Sequence, residues 1–232
     1  MEQNLSSSEE AVSIGHMILL RHGQTSWSQS GQHTGRTDLP LTEVGKQQAL
    51  EAGERLRCAF PQGFEAEYVF SSPLQRARET AILAGFKHPH DLPDIAEWDY
   101  GRAEGRSRSQ IRALAGWDWD LWADGPQSLD PSMEGHHEEL LPTGQHIAVS
   151  NGSGETLEEV AVRAKNVTQA LRPVIEAGHN VLLVAHAHIL RILATQWLEV
   201  DPAFAKHLRM DTAHFSVLGG YKGDNVIEHW ND

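Results

Sequence analysis

The sequence predicts a single α/β domain with a mostly parallel sheet, and three observations lead there. Apolar runs Ile18–Leu20 and Val181–Ala185 each deliver a histidine, His22 (just after Arg21) and His186, at their ends. Between them, strand-like and helix-like stretches alternate, as crossover connections between parallel strands require. The 232 residues fit one large domain, and a 40% apolar content is ordinary for a globular chain. In an open α/β sheet, ligands bind just beyond the carboxyl ends of the strands. Two strands ending in histidine would therefore bring two imidazoles and an arginine to one place. That is a site for an anion and for a nitrogen nucleophile.

The elements follow in order. The first strand runs from Ile18 into Arg21 and His22, and Gly23 is expected to turn the chain sharply away. A polar loop over 24–40, rich in Ser, Gly and Thr, comes next. A helix is predicted over 42–60, because Ala49, Ala52, Leu56 and Ala59 share one face. Residues 68–70 read as a short buried strand. Ser72-Pro73-Leu74-Gln75 has the form of a helix start, with Ser at the N-cap, Pro first in the helix and Gln third. That helix would carry Leu74, Ala77, Ala81 and Ala84 inward and stop at Gly85. An extended piece leads to Trp98, and a helix is expected over about 110–115. From 123 to 154 the chain lacks sustained periodicity, which marks a long functional or mobile loop, here a candidate lid. Thr156-x-x-Glu159 is a capping box for a helix with inner face Leu157, Val160, Ala164, Val167 and Leu171, bent or broken near its end by Pro173. The second histidine-bearing strand, a helix from Ile189, and closing strands at 215–218 and 226–229 complete the chain.

Composition narrows the partners. The formal net charge of −13 disfavours nucleic acid and anionic membranes, so an anionic substrate must meet locally concentrated positive charge. Residues 1–14 carry acidic side chains where a secretory signal would be basic, and Ser6-Ser7-Ser8-Glu9-Glu10 offers no core face. That tail is expected to be disordered, leaving 15–232 as the folded domain. The apolar runs fall far short of the ~18 residues of a membrane span, and a cytoplasmic location is the expectation. The lone Cys58 excludes an internal disulfide framework and reads as a packed or surface thiol.

Arg76 falls in the first turn of a helix that itself follows a strand. Free N–H groups and the positive dipole end favour an anion there, and the guanidinium adds a planar fork for phosphate. Phosphoryl transfer to an imidazole needs an unprotonated nitrogen, cations around the non-bridging oxygens, an in-line geometry and an acid for the departing alkoxide. Glu97, beside Ala96 and Trp98, is the candidate acid, since an apolar setting raises a carboxyl pKa. From spacing alone, Asp99 or Glu104 would serve nearly as well.

Five segments, Leu19–Ala49, Phe70–Thr80, Glu97–Gly105, Gly154–Val160 and Val181–Leu193, resemble the histidine phosphatase superfamily, also called the phosphoglycerate-mutase-like family. Leu20-Arg-His-Gly-Gln-Thr-x-Trp followed by Gly35-Arg-Thr-Asp-Leu-Pro-Leu-Thr42 is the most specific part of the match. The resemblance implies an α/β sheet with helices on both faces and a reaction needing no metal and no other cofactor. It implies that His22 is the nucleophile that becomes phosphohistidine, that Arg21, Arg76 and His186 cradle the phosphoryl oxygens, and that Glu97 is the proton donor.

Departures from the family pattern are Gln24 for a frequent Glu, Ala187 for a frequent Gly, and Ser28 for an Asn that touches phosphate, which makes Ser28 a further candidate ligand. The segments around Glu97 and His33 resemble the acid-phosphatase and sugar-bisphosphate-phosphatase branch. Mutases of the family add lysines and paired arginines after the acid, whereas no lysine occurs here between Lys87 and Lys165. The expected activity is metal-independent hydrolysis of small phosphomonoesters, with phosphoglycerate mutase as the alternative. Small phosphate esters are the expected partners, and a homodimer is left open.

Two rival readings are weaker. Fourteen histidines invite a metal site at His186-x-His188 or His136-His137, yet no carboxylate or thiolate completes either in register. A non-catalytic phosphate sensor would have lost the nucleophile or the acid, and both are present. Trp117, Trp119 and Trp122 are expected mainly to pack, because their neighbours Asp118, Asp120 and Asp124 would repel a polyanion.

Overall fold

The computed structural model describes residues 14–232, so the tail expected to be disordered lies almost wholly outside the described residues. The elements are β1 (Met17–Arg21), α1 (Ser26–Ser30), α2 (Glu43–Ala59), β2 (Val69–Ser71), α3 (Gln75–Leu83), β3 (His90–Asp91), α4 (Arg108–Ala115), α5 (Leu121–Asp124), β4 (Gly135–Leu140), β5 (His146–Asn151), α6 (Leu157–Glu176), β6 (Val181–Ala185), α7 (Ala187–Trp197), β7 (Phe215–Tyr221) and β8 (Asp224–His229).

Six strands form the central sheet in the order β3-β2-β6-β1-β7-β8. The first four run parallel, and β7 and β8 close the far edge antiparallel. Continuous apolar runs in β1 and β6 follow from burial on both faces. Met17 and Leu19 join Leu183 and Ala185 in the larger core, against Val160 and Val167 of α6 and Ile189 and Leu193 of α7. Ile18, Leu20, Leu182 and Val184 face the other way, onto Ala52 and Leu56 of α2 and Ala81 of α3. Helices thus cover both faces.

Thr156 and Glu159 form the expected capping box of α6, and Ser107 with Gln110 forms another, not anticipated from sequence, at the start of α4. The helix of α6 continues through Pro173 to Glu176 instead of breaking there. Ala59 is exposed rather than inward-facing, and Cys58 beside it is a surface thiol. Gly23 serves close approach: a Cβ there would lie 2.3 Å from the Gly45 carbonyl oxygen of α2.

Two further expectations are corrected. Ser72 does not cap α3, which begins at Gln75 after Leu74 with no side-chain cap of its own. The Gln75 N–H is instead met by Asp38 Oδ1 at 2.7 Å, brought in by the loop after α1. The stretch 123–154 is not structureless either, because it contains the β4–β5 hairpin. Alternation in β5 buries Ile147, Val149 and Asn151, while the polar β4 masks the pairing in the sequence. Asn151 Nδ2 donates to the carbonyls of Gly101 and Glu104, and Trp27 of α1 donates to Glu139 at 2.9 Å, which fastens the hairpin beside α1.

Candidate active site

Register builds the site. Arg21 pairs with Ala185 and Ser71 with Val184, so β1 and β6 end level and β2 ends one residue short. The next residue of each strand, His22, Ser72 and His186, therefore comes to one edge, where His186 meets both of the others. The imidazoles of His22 and His186 lie 5.1 Å apart between centroids.

The hydrogen bonds fix the state of each ring. His22 Nδ1 lies 2.7 Å from the Gly23 carbonyl oxygen. A carbonyl only accepts, so Nδ1 carries the proton and Nε2 keeps a lone pair. Burial, then the charges of Arg76 and Arg21, hold the His22 pKa well below the usual imidazole value. His186 Nδ1 accepts from Arg76 Nε at 3.1 Å, which leaves Nε2–H to donate to Ser72 Oγ at 2.7 Å. Burial and Arg76 likewise keep His186 neutral.

Arg76 is fully buried and also donates to the carbonyls of Thr34, Gly35 and Thr37 at 2.9–3.1 Å. Four acceptors thus engage a group with five N–H donors. Its fork, read from sequence as a phosphate clamp, is mostly occupied by the loop 34–37, and what it offers the site is its charge. Arg21 is less committed. Its NH1 donates to the Met210 carbonyl at 2.7 Å, while Nε is buried with no partner among the described residues.

The three candidate carboxylates separate cleanly. Asp99 caps the Gly101 N–H. Glu104 accepts from the backbone of Gly35 and Thr37 at 2.9–3.0 Å and braces the loop that grips Arg76. Glu97 alone lines the pocket. Burial would raise its pKa, as the sequence suggested, but the direction is the reverse. The His188 side chain, chiefly, and the Trp98 N–H work against burial and hold the Glu97 pKa well below the carboxylate range. Backbone N–H groups of His188 and Ile189, at the start of α7, also donate to it at 3.0–3.1 Å.

The pocket, of about 190 Å³, is lined by Arg21, His22, Ser28, His33, Glu97 and Tyr100 among others. Arg76 and His186 stand outside the lining, buried beside His22. Ser28 reaches it, although its Oγ also exchanges hydrogen bonds with Thr25 in the cap of α1. Tyr100 Oη bonds His188 Nδ1 at 2.6 Å, and Trp122 stacks on the other side of that imidazole at 5.1 Å. Trp119 is fully buried, as packing demands, whereas Trp117 is exposed. Asp118 and Asp120 pair with Arg112 and Arg108. Sequence reasoning missed Ser72, Tyr100 and Glu104 as a brace, whereas His188, read from sequence as a helix-start histidine near the pocket, stands there. Only Ser72 carried a signal, since it too follows a strand aimed at the site.

His88, His90, His136 and His137 are partly or fully exposed, and no cluster of three or more His, Cys, Asp or Glu able to hold a metal occurs among the described residues. No helix there is long and apolar enough to cross a membrane.

The model of the histidine phosphatase superfamily, branch 1, matches residues 17–232. An acid phosphatase of Mycobacterium tuberculosis is 31% identical over 203 residues, covering 88% of this chain and 85% of that one. A sedoheptulose 1,7-bisphosphatase of Saccharomyces cerevisiae is 33% identical over 199 residues, covering 78% of this chain and 66% of that one. The solved structure of the open reading frame Rv3214 from Mycobacterium tuberculosis superposes with a TM-score of 0.75 at 30% identity, covering 94% of this chain and 97% of that one.

Proposed function

The chain belongs to the histidine phosphatase superfamily, and from that premise we propose that it hydrolyses small phosphomonoesters through a phosphohistidine on His22, without a metal. The observation that carries this reading is the His22 hydrogen bond to the Gly23 carbonyl, which leaves Nε2 unprotonated on a ring that lines the pocket beside Arg21, with the charge of Arg76 close behind.

The substrate phosphoryl group settles between Arg21, whose orphan Nε–H faces no other acceptor, and Ser28. His22 Nε2 attacks phosphorus, and the bond to the ester oxygen breaks. The departing alkoxide takes a proton from Glu97, leaving a carboxylate. Water then attacks the phosphohistidine, gives its proton to Glu97, and phosphate leaves as the P–N bond breaks. The empty-site Glu97 is ionised, so it must gain its proton with the substrate. A phosphate dianion arriving beside it adds the like charge that raises a carboxyl pKa.

Chelator-treated enzyme assayed on p-nitrophenyl phosphate, sugar phosphates, sugar bisphosphates and 3-phosphoglycerate, with 2,3-bisphosphoglycerate as primer, tests the reading. Phosphate release that survives chelation is expected, and isomerisation of phosphoglycerate without net release would overturn it in favour of a mutase.

A further inference from the structure

Beyond the phosphoryl pocket lies a second cavity of about 330 Å³, and His33 and His188 line both. We propose that this outer cavity receives the leaving group, and that His33 at its threshold accepts a hydrogen bond from a substrate hydroxyl near the ester. Sugar and polyol phosphates are then the substrate class. This inference rests on the phosphatase reading above.

The tautomer of His33 carries the argument. Its Nδ1 lies 2.7 Å from the Arg106 carbonyl oxygen, so Nδ1 is the donor and Nε2 holds a lone pair with no partner among the described residues. Burial, the largest influence, together with the charges of His188 and Arg108, draws its pKa down to about 4, so the ring stays neutral at physiological pH. Tyr100 and Trp119 pack edge-on against it at 5.0 and 5.6 Å and hold its orientation. A neutral acceptor on this threshold attracts an O–H and repels a carboxylate or second phosphate oxygen, which also present lone pairs.

The cavity beyond suits the rest of a polyol. Trp122, partly exposed, gives it an aromatic surface against which the C–H face of a sugar can lie, with the buried Trp119 holding His33 in place. Arg108 and Asp120 are ion-paired with one another, so together they offer donors and acceptors for hydroxyls at no net charge. Lys206, at the exposed rim, adds one cation that makes no ion pair among the described residues. Nothing here matches the multiple cations that a carboxylated or doubly phosphorylated leaving group would call for.

The test compares kcat/KM for glycerol 1-phosphate and propyl phosphate, which differ only in hydroxyls. The wild-type enzyme is expected to prefer glycerol 1-phosphate by about tenfold or more, the worth of one well-placed hydrogen bond and its lost partner. In His33→Asn, whose amide can replace Nδ1–H toward Arg106 but leaves no acceptor at Nε2, the ratio should fall toward one. His33→Gln, which restores an acceptor near Nε2, should recover the preference, and it keeps the question open to decision if the Asn variant fails to fold. Equal use of both esters by the wild type, or a ratio unchanged in His33→Asn, would overturn the subsite. Failure of the wild type on p-nitrophenyl phosphate would instead sink the phosphatase reading itself.

Discussion

Replacing Arg76 by lysine keeps the charge and removes the fork. The guanidinium serves four acceptors, His186 Nδ1 and the carbonyls of Thr34, Gly35 and Thr37, in a place with no solvent exposure. An ammonium has three donors at one point and cannot span them. At least two buried acceptors would then be orphaned, at about 1–3 kcal/mol each, or roughly 2–6 kcal/mol together. For a chain of this length each kcal/mol moves Tm by about 2–4 °C, so Arg76→Lys should melt roughly 5–20 °C lower. The loop 34–37 would loosen, and His186 would lose the donor that fixes its tautomer. A fall in kcat/KM of about a hundredfold on p-nitrophenyl phosphate is expected, comparable to loss of one preorganised donor. Thermal unfolding followed by tryptophan fluorescence and steady-state kinetics read both effects. Arg78→Lys is the control, because Arg78 makes only an exposed pair with Asp91, of small worth. If Arg76→Lys melted with the wild type and kept its kcat/KM, the idea that Arg76 holds the site together would be wrong.

Other consequences can be measured. Glu97→Gln should slow hydrolysis of alkyl phosphates far more than aryl ones, whose better leaving groups need less protonation, and equal losses on both would remove Glu97 from the role of acid. Stability should fall with acidification, because the His33 pKa of about 4 in the fold lies below the usual 6.5. A lowered pKa contributes stability that is present above pH 6.5 and lost as pH falls through 4, about 3 kcal/mol between pH 7 and 4 for this one group. Urea denaturation across that range should show a shallower decline for His33→Asn than for the wild type, and parallel curves would refute the assignment.

Much of the site was legible because its logic is local. An apolar run ending in Arg21 and His22, a second ending in His186, and the rule that such ends converge were enough to place two imidazoles together. Thr156 and Glu159 announced α6 because a capping box needs only four residues. What the sequence withheld was long-range. Ser72 before Pro73 has the form of a helix cap, and only the fold reveals that His186, 114 residues away, takes its hydroxyl while Asp38 supplies the first N–H of α3. Arg76 looked like a free fork, since nothing local shows that a loop 39–42 residues earlier would fill it. The hairpin at 135–151 was hidden because its outer strand, Gly-His-His-Glu-Glu-Leu, buries almost nothing and so leaves no period to read.

Glu97 shows how the same distance reverses an electrostatic conclusion. Its neighbours in sequence are apolar and aromatic, which argues for a neutral acid. The fold sets the start of α7 against it, so that the His188 side chain, 91 residues away, and the Trp98 N–H hold its pKa down against burial, while the N–H groups of His188 and Ile189 also donate to it. In the empty site the charge of Glu97 opposes those of Arg21 and Arg76 and leaves one positive charge over for an anion. A phosphoryl dianion entering between them competes for the same cations. The carboxylate then gains a negative neighbour, which raises its pKa. In the proposed mechanism protonation of Glu97 is therefore coupled to substrate arrival: the raised pKa that its apolar neighbours suggest belongs to the occupied site, and the lowered one to the empty site.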